Sequence, residues 1–147
     1  MNEALPTELT IGAILRFNEY AWELPAFSEA LQRAPSLGYA CLGGQLWFLL
    51  PDNTVYELFW LEANSSDRAA GEPWSDYASR SCEEVLVQFD TLVRGTNFDQ
   101  EASEFRSIES SFRLMFNAYF VTERELSDLI GNRKIGSDTR KPHTPVR

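Results

Sequence analysis

The chain has 147 residues, of which 44% are hydrophobic and 13% are aromatic, and its formal net charge is −9. This length suits one domain, since folding can bury roughly 68–70% of the surface of an unfolded chain of this size. The charge is uneven: residues 1–131 hold 21 carboxylates and eight arginines, a balance of −13, with no lysine and no histidine. A surface of this kind repels nucleic acid and anionic membranes and favours basic proteins as partners.

Two regions are expected from this charge distribution, an acidic globular domain over residues 1–131 and a basic disordered tail over residues 132–147. The tail holds five cations and one carboxylate and has no apolar periodicity. The first residues lack the cationic and apolar regions of a secretory signal. The longest uncharged apolar stretch, Leu46–Leu50, is too short to cross a membrane. We therefore expect a cytoplasmic protein that contacts neither membranes nor nucleic acid directly.

Two helices are predicted before residue 35. Thr7 can cap the first, which the apolar spacing of three and four residues extends to Leu24. Pro25 ends that helix and suits the first turn of the second, Ala26–Ala34. A proline and a glycine in the next four residues then interrupt the helical pattern.

The centre of the chain predicts a β-meander with strands Leu37–Leu42, Gln45–Leu50 and Val55–Glu62. Gly43-Gly44 can form the first turn and Pro51–Thr54 the second. Both faces of the last two strands are apolar, whereas a sheet with one solvated face alternates apolar and polar residues. Either helices cover both faces or one face is kept for a partner, so a homodimer stays an alternative. Most of the aromatic residues here are assigned to the core, namely Trp47, Phe48, Tyr56, Phe59 and Trp60.

Two capping boxes predict the starts of helices in the C-terminal half. Ser81 with Glu84 begins a helix that Gly95 ends, and Thr122 with Glu125 begins a short last helix. In this pattern the hydroxyl accepts from the backbone three residues on, and the carboxylate reaches back to the backbone of the capping residue.

A long helix over Asp99–Phe120 is predicted between these two. Its apolar residues share one stripe at helical spacing: Phe105, Ile108, Phe112, Met115, Phe116 and Tyr119. The sequence therefore predicts a single α+β domain with two N-terminal helices, a three-stranded antiparallel β-meander and three C-terminal helices.

The residue types exclude several kinds of chemistry. His143 is the one histidine and lies in the tail, so residues 1–131 hold no Ser-His-Asp or Cys-His site and no zinc site with histidine. Gly43-Gly44 lacks the helix and lysine of a phosphate-binding loop. Cys41 and Cys82 are predicted to be buried free thiols, with a disulfide as the alternative. We expect a protein that is not an enzyme and has no cofactor or metal.

The longest irregular stretch is predicted at Ala63–Arg80, and a loop of more than about 12–15 residues is usually functional or mobile. Trp74 is the aromatic residue that core packing explains least, and tryptophan is a frequent interface anchor. We therefore predict a partner-binding site in this loop and the adjoining end of the sheet. Its residues are Glu57, Glu62, Asp67, Glu72, Trp74, Asp76 and Tyr77.

Three functional hypotheses are compatible with these features. The first is a module that neutralises or chaperones a basic protein, such as a toxin or an effector, by analogy of size and charge with toxin-immunity proteins and secretion chaperones. The second is a DNA mimic that blocks a DNA-binding protein, with an anion array on the long helix from Asp99, Glu101, Glu104 and Glu109. The third is a carboxylate-dependent ligand-binding protein or glycan hydrolase with two converging carboxyl groups.

Overall fold

The computed structural model describes residues 4–105 and 111–135, the last four of them by their backbone alone. Within these residues the chain forms one five-stranded antiparallel sheet and four α-helices. The elements in chain order are β1 (Ala13–Arg16), β2 (Glu19–Glu23), α1 (Leu24–Arg33), β3 (Ala40–Leu49), β4 (Val55–Asn64), α2 (Trp74–Gly95), α3 (Phe98–Ala102), β5 (Arg113–Val121) and α4 (Glu123–Ile135). A short 3-10 helix, Ala34–Leu37, follows α1. The strand order β1-β2-β5-β3-β4 places the last strand in the centre of the sheet.

The predicted architecture of three strands with two N-terminal and three C-terminal helices is wrong, and its first error lies before Leu24. This segment forms the β1–β2 hairpin, whose two turn residues Phe17 and Asn18 both have a left-handed backbone, with φ of 56° and 61°. The apolar residues whose spacing predicted a helix belong to separate elements, which lie on either side of this turn. The second predicted helix is confirmed as α1, with Pro25 in its first turn.

The predicted helix over Asp99–Phe120 is also wrong. Its residues include the short helix α3 and the central strand β5, which pairs with both β2 and β3. A central strand that is buried on both faces reads as a continuous apolar run. Over a short length such a run also satisfies helical spacing.

The two adjacent glycines do not form a turn, because β3 continues through them from Ala40 to Leu49. Beside them Leu42 forms a bulge, since Cys41 pairs with Phe120 and Gly43 already pairs with Tyr119. A Cβ atom on Gly44 would lie 1.8 Å from the backbone oxygen of Asn117 on β5. These glycines therefore allow a bulge and a close approach of backbones rather than a reversal of the chain.

The turn before β4 and the strand itself are confirmed. The Leu50 N–H donates to the carbonyl of Thr54 at 2.9 Å, and Asn53 takes the left-handed backbone at φ 71°. Further along, the register between β3 and β4 shifts, because Leu46 pairs with Leu58 and Gln45 pairs with Glu62. Residues 59–61 of β4 therefore bulge out of the ladder at the edge of the sheet.

The main core lies between one face of the sheet and the helices α1 and α2, with Phe27 of α1 at its centre. Ring centroids lie 4.6 Å away for Phe116, 5.0 Å for Phe89, 5.8 Å for Trp22 and 6.1 Å for Phe120. All five rings are buried. Tilted and edge-to-face aromatic pairs of this kind stabilise a core beyond the area that they remove from water.

A second buried cluster lies on the opposite face of the sheet, because side chains alternate along a strand. It comprises Ala21, Trp47, Leu49 and Met115, and its described members all lie on strands. The indole N–H of Trp47 is buried without a hydrogen-bond partner in the part of the chain that the structure describes. In contrast to the first face, no described helix residue belongs to this cluster.

The two cysteines are free and buried, as predicted. Burial is the main cause that raises the pKa of both thiols, well above the usual value for Cys41 and to about 12 for Cys82. Both groups are therefore protonated at neutral pH and poor nucleophiles. Among the described helices, none combines the length and the apolar character that a membrane span needs.

Candidate partner-binding surface

The connection between β4 and α2 is shorter than the predicted loop. Strand β4 extends to Asn64 and α2 begins at Trp74, so the connection comprises residues 65–73. The predicted cap Ser81 lies inside the helix and is buried. Its hydroxyl donates to the Ala78 carbonyl and accepts from the Cys41 N–H, each at 3.1 Å. Ser81 therefore joins α2 to β3 instead of beginning the helix.

Arg80 of α2 holds this connection in place. Its guanidinium donates to both carboxylate oxygens of Glu72 at 2.8 Å and to Glu84 at 2.9 Å. It also donates to the Ser66 hydroxyl at 2.6 Å and to the Asp67 carbonyl at 3.0 Å. The hydrogen bonds from Arg80 are the main cause that lowers the pKa of Glu72 from 4.5 to about 2. A bidentate arginine–carboxylate pair has a fixed geometry, so the connection is ordered by contacts within the chain.

Trp74, at the start of α2, likewise makes its contacts within the chain. It is partly buried, and its indole N–H donates to the Gly38 carbonyl at 3.0 Å. Its ring centroid lies 5.5 Å from that of Tyr77, and the guanidinium of Arg68 lies 5.2 Å from it on the ring face. Arg68 also pairs with Glu123 of α4 at 2.9 Å. Trp74 therefore joins α2 to the turn before β3.

The seven predicted site residues differ in their exposure and in their contacts. Glu57 is partly buried on β4 and accepts from the side-chain amide of Gln45 at 2.6 Å. The others fall into three groups: Glu62, Asp67 and Asp76 are exposed, Glu72 and Trp74 are partly buried in the contacts above, and Tyr77 is buried. A role for the exposed members in partner binding stays a prediction.

The bulge of β4 presents a pair of aromatic residues that sequence reasoning assigned to the core. Phe59 is 61% exposed and Trp60 is 48% exposed, and their ring centroids lie 5.1 Å apart in an edge-to-face arrangement. The indole N–H of Trp60 donates to a carboxylate oxygen of Glu101 on α3 at 3.2 Å. Regular alternation would have turned one of two adjacent side chains inward, and the bulge removes that constraint. The available signal was a run of four apolar residues between Glu57 and Glu62.

Two carboxylates adjoin this pair, Glu62 on the same strand and Glu101 in contact with Trp60. We call Phe59, Trp60, Glu62 and Glu101 the β4 bulge surface. Among the described side chains, 19 carboxylates face seven arginines. Four of those arginines form ion pairs within the chain, Arg33, Arg68, Arg80 and Arg113. Arginine therefore balances only a minority of the negative charge of the described side chains.

A pocket of about 270 Å³ lies elsewhere, between the β1–β2 hairpin and the junction of β5 with α4. The Tyr119 hydroxyl donates to Glu19 at 2.7 Å at this position. Glu125 accepts from the Thr122 N–H at 2.9 Å, and the Glu125 N–H donates to the Thr122 hydroxyl at 3.3 Å, which confirms the second capping box. The described lining residues are Ala4, Leu5, Leu15, Asn18, Glu19, Tyr20, Ala118, Tyr119, Phe120 and Glu125.

Comparison of the chain with protein-family models, curated proteins and solved structures finds no significant match. In the described residues, no group of three or more histidine, cysteine, aspartate or glutamate residues could hold a metal ion. The functional interpretation therefore depends on the surface chemistry of this chain.

Acidification is expected to loosen residues 65–73 before the rest of the domain unfolds. The pKa of Glu72 is about 2 in the folded chain against an ordinary 4.5, so its contribution to stability is complete above about pH 4.5 and decreases as the pH falls towards 2. The Arg80 side-chain N–H and the Ala69 amide, which both donate to Glu72, report this change when they are followed by NMR between pH 6 and 2. The amide-exchange protection of residues 65–73 should fall over the same pH range.

Glu72→Gln supplies the control for this titration. The variant keeps a hydrogen-bond acceptor but loses the charge, so its connection should be less protected at pH 6 and should change less on acidification. Glu83→Gln, at an exposed position of α2, should follow the wild type. An identical pH profile for Glu72→Gln and wild type would contradict this role of Arg80 and Glu72.

Proposed function

We propose that this chain is a protein-binding module that docks a basic protein partner on the β4 bulge surface. The observation that carries the proposal is the exposure of Phe59 and Trp60, 61% and 48%, on an edge strand that also carries Glu62. Aromatic anchors inside a ring of polar residues are the usual centre of a protein interface. A partner of this kind would bring arginine or lysine residues to meet the surrounding carboxylates.

The aromatic pair can contribute affinity because its burial is still incomplete in the free chain. Full burial of a phenylalanine or a similar side chain is worth roughly 1.5–3 kcal/mol. Trp60 is already oriented by its hydrogen bond to Glu101, so less side-chain entropy is lost when a partner covers it. Pre-orientation of this kind favours tight binding from a small surface.

The carboxylates act mainly on the rate and the specificity of association. Complementary charge speeds the diffusional encounter by about 10- to 1,000-fold at low salt. Asp99 and Glu104 are exposed in the same part of the chain as Glu101. Because ions in solution screen exposed charges over about 8–10 Å, the association rate is expected to fall as salt is added.

The DNA-mimic alternative was based on the predicted helix over Asp99–Phe120, whose described residues form α3 and β5 instead. The long helix is absent, α3 ends at Ala102, and Glu104 lies beyond that end. Glu109 lies outside the described residues. The hydrolase alternative placed its carboxyl groups in the predicted loop and the adjoining strand, where Glu57 and Glu72 are engaged by Gln45 and Arg80. A toxin or an effector remains the partner class that we propose, by analogy of size and charge.

Affinity capture tests this proposal with three immobilised chains: wild type, Trp60→Ala and Val87→Ala. Val87 lies on α2 and is 56% exposed, so it controls for the loss of an exposed apolar side chain. From an extract of the organism that encodes the chain, wild type and Val87→Ala should retain the same basic protein, and Trp60→Ala should not. Raised salt should elute it. Retention of an acidic protein, or equal retention by Trp60→Ala, would contradict the proposal.

A further inference from the structure

The pocket between the β1–β2 hairpin and the β5–α4 junction shares no residue with the β4 bulge surface. Its volume of about 270 Å³ is below the range of roughly 300–1,000 Å³ that is typical of sites for drug-sized ligands. A liquid water molecule takes up about 30 Å³. The pocket is therefore of a size to accept one long side chain or a free molecule of the same dimensions.

The lining of this pocket combines aromatic rings with carboxylates. Tyr20 and Tyr119 supply the rings, and Glu19 and Glu125 supply the charges. No arginine, lysine or histidine is among the lining residues that the structure describes. Such a lining suits a cation with an apolar stem, because the stem packs on the rings and the charge meets the carboxylates.

The two carboxylates that line the pocket are each held by contacts within the chain. Glu19 follows the turn at Phe17 and Asn18, and it receives the Tyr119 hydroxyl at 2.7 Å. Glu125 is held by the capping box with Thr122 at the start of α4. A site whose charged groups are positioned by second contacts loses little entropy when a ligand enters.

We propose that this pocket binds a guanidinium group on a short alkyl chain. Guanidinium is preferred over ammonium because it is planar, stacks on aromatic rings and donates to carboxylates in pairs. The same group can come from an arginine side chain of a peptide or from a free alkylguanidine. The inference does not depend on the proposed function, since the pocket is separate from the β4 bulge surface.

An NMR titration of the full chain with three probes tests this assignment. The probes are N-acetyl-arginine amide, agmatine, and N-acetyl-citrulline amide, in which a neutral urea replaces the guanidinium. A guanidinium probe of this size should bind with a Kd on the order of 1 mM, with amide shifts confined to residues around Leu15, Asn18, Tyr119 and Phe120. Binding of the arginine amide alone assigns a peptide side chain, and binding of agmatine alone assigns a free guanidine.

Two variants remove the charge and keep the hydrogen-bond acceptor, Glu19→Gln and Glu125→Gln. Glutamine also occurs at this position of a capping box, so Glu125→Gln keeps the start of α4 and decides the test if Glu19→Gln does not fold. Guanidinium binding should weaken at least tenfold in either variant and stay unchanged in Glu83→Gln and Val87→Ala. Equal binding of the citrulline probe, shifts scattered over the acidic surface, or unchanged affinity in both variants would overturn the inference.

Discussion

Replacement of Gly44 by alanine is expected to destabilise the domain by about 4 kcal/mol, near the upper limit for a single substitution. The new Cβ would lie 1.8 Å from the Asn117 oxygen and 2.7 Å from the Ala118 Cα, both of them backbone atoms of β5. Neither atom can rotate away as a side chain can, so the central β3–β5 ladder itself must move. A domain stability of roughly 5–15 kcal/mol leaves little reserve for this change.

Gly95→Ala is the matched control, because a Cβ on Gly95, the last residue of α2, would meet nothing within 4 Å. Its stability should stay within about 0.5 kcal/mol of the wild type. Urea unfolding of both variants, followed by circular dichroism, gives the two midpoints for comparison. Equal midpoints for Gly44→Ala and Gly95→Ala would contradict the close approach of β3 and β5.

Phe27→Ala is expected to cost about 3–5 kcal/mol, the usual range for the removal of a buried aromatic ring. The Phe27 ring lies within 6.1 Å of four other buried rings, measured between centroids. Its removal leaves a cavity between α1 and the sheet that these rigid neighbours can close only in part. The same urea titration measures the loss, which should appear in the midpoint and leave the slope unchanged.

Phe59→Ala is the control with the same chemical change at an exposed position. Phe59 is 61% exposed, so its removal should change the stability by less than about 0.5 kcal/mol. If Phe59→Ala destabilised the domain as much as Phe27→Ala, the aromatic pair of the bulge would belong to the core. Its assignment to a binding surface would then be wrong.

Local signals predicted the elements that depend on neighbours in sequence. Pro25 marked the start of α1, Pro51–Thr54 the turn before β4, and Thr122 with Glu125 the start of α4. The elements that were missed depend on distant partners. Strand β5 lies between β2 and β3, and the Tyr20 carbonyl accepts from Asn117, 97 residues away. Apolar periodicity within one segment contains no information on such a pairing.

The predicted loop Ala63–Arg80 is shorter and more ordered in the structure than its composition indicates. Composition marked residues 63–80 as an open loop, whereas Arg80 gathers Glu72, Glu84 and Ser66 into one network. This network could be predicted only if the start of α2 at Trp74 were already known. The exposure of Phe59 depends on a register shift between β3 and β4, which strand pairing sets rather than strand composition.

The affinity of the captured basic partner for Trp60→Ala is the measurement that tests the binding proposal most directly. Interface anchors of this type contribute 2 kcal/mol or more, so the Kd should rise about 30-fold, while Val87→Ala should stay within about twofold. Added salt should slow association of the wild type and of Val87→Ala alike. If Trp60→Ala bound with the wild-type Kd, the β4 bulge surface would not be the docking site.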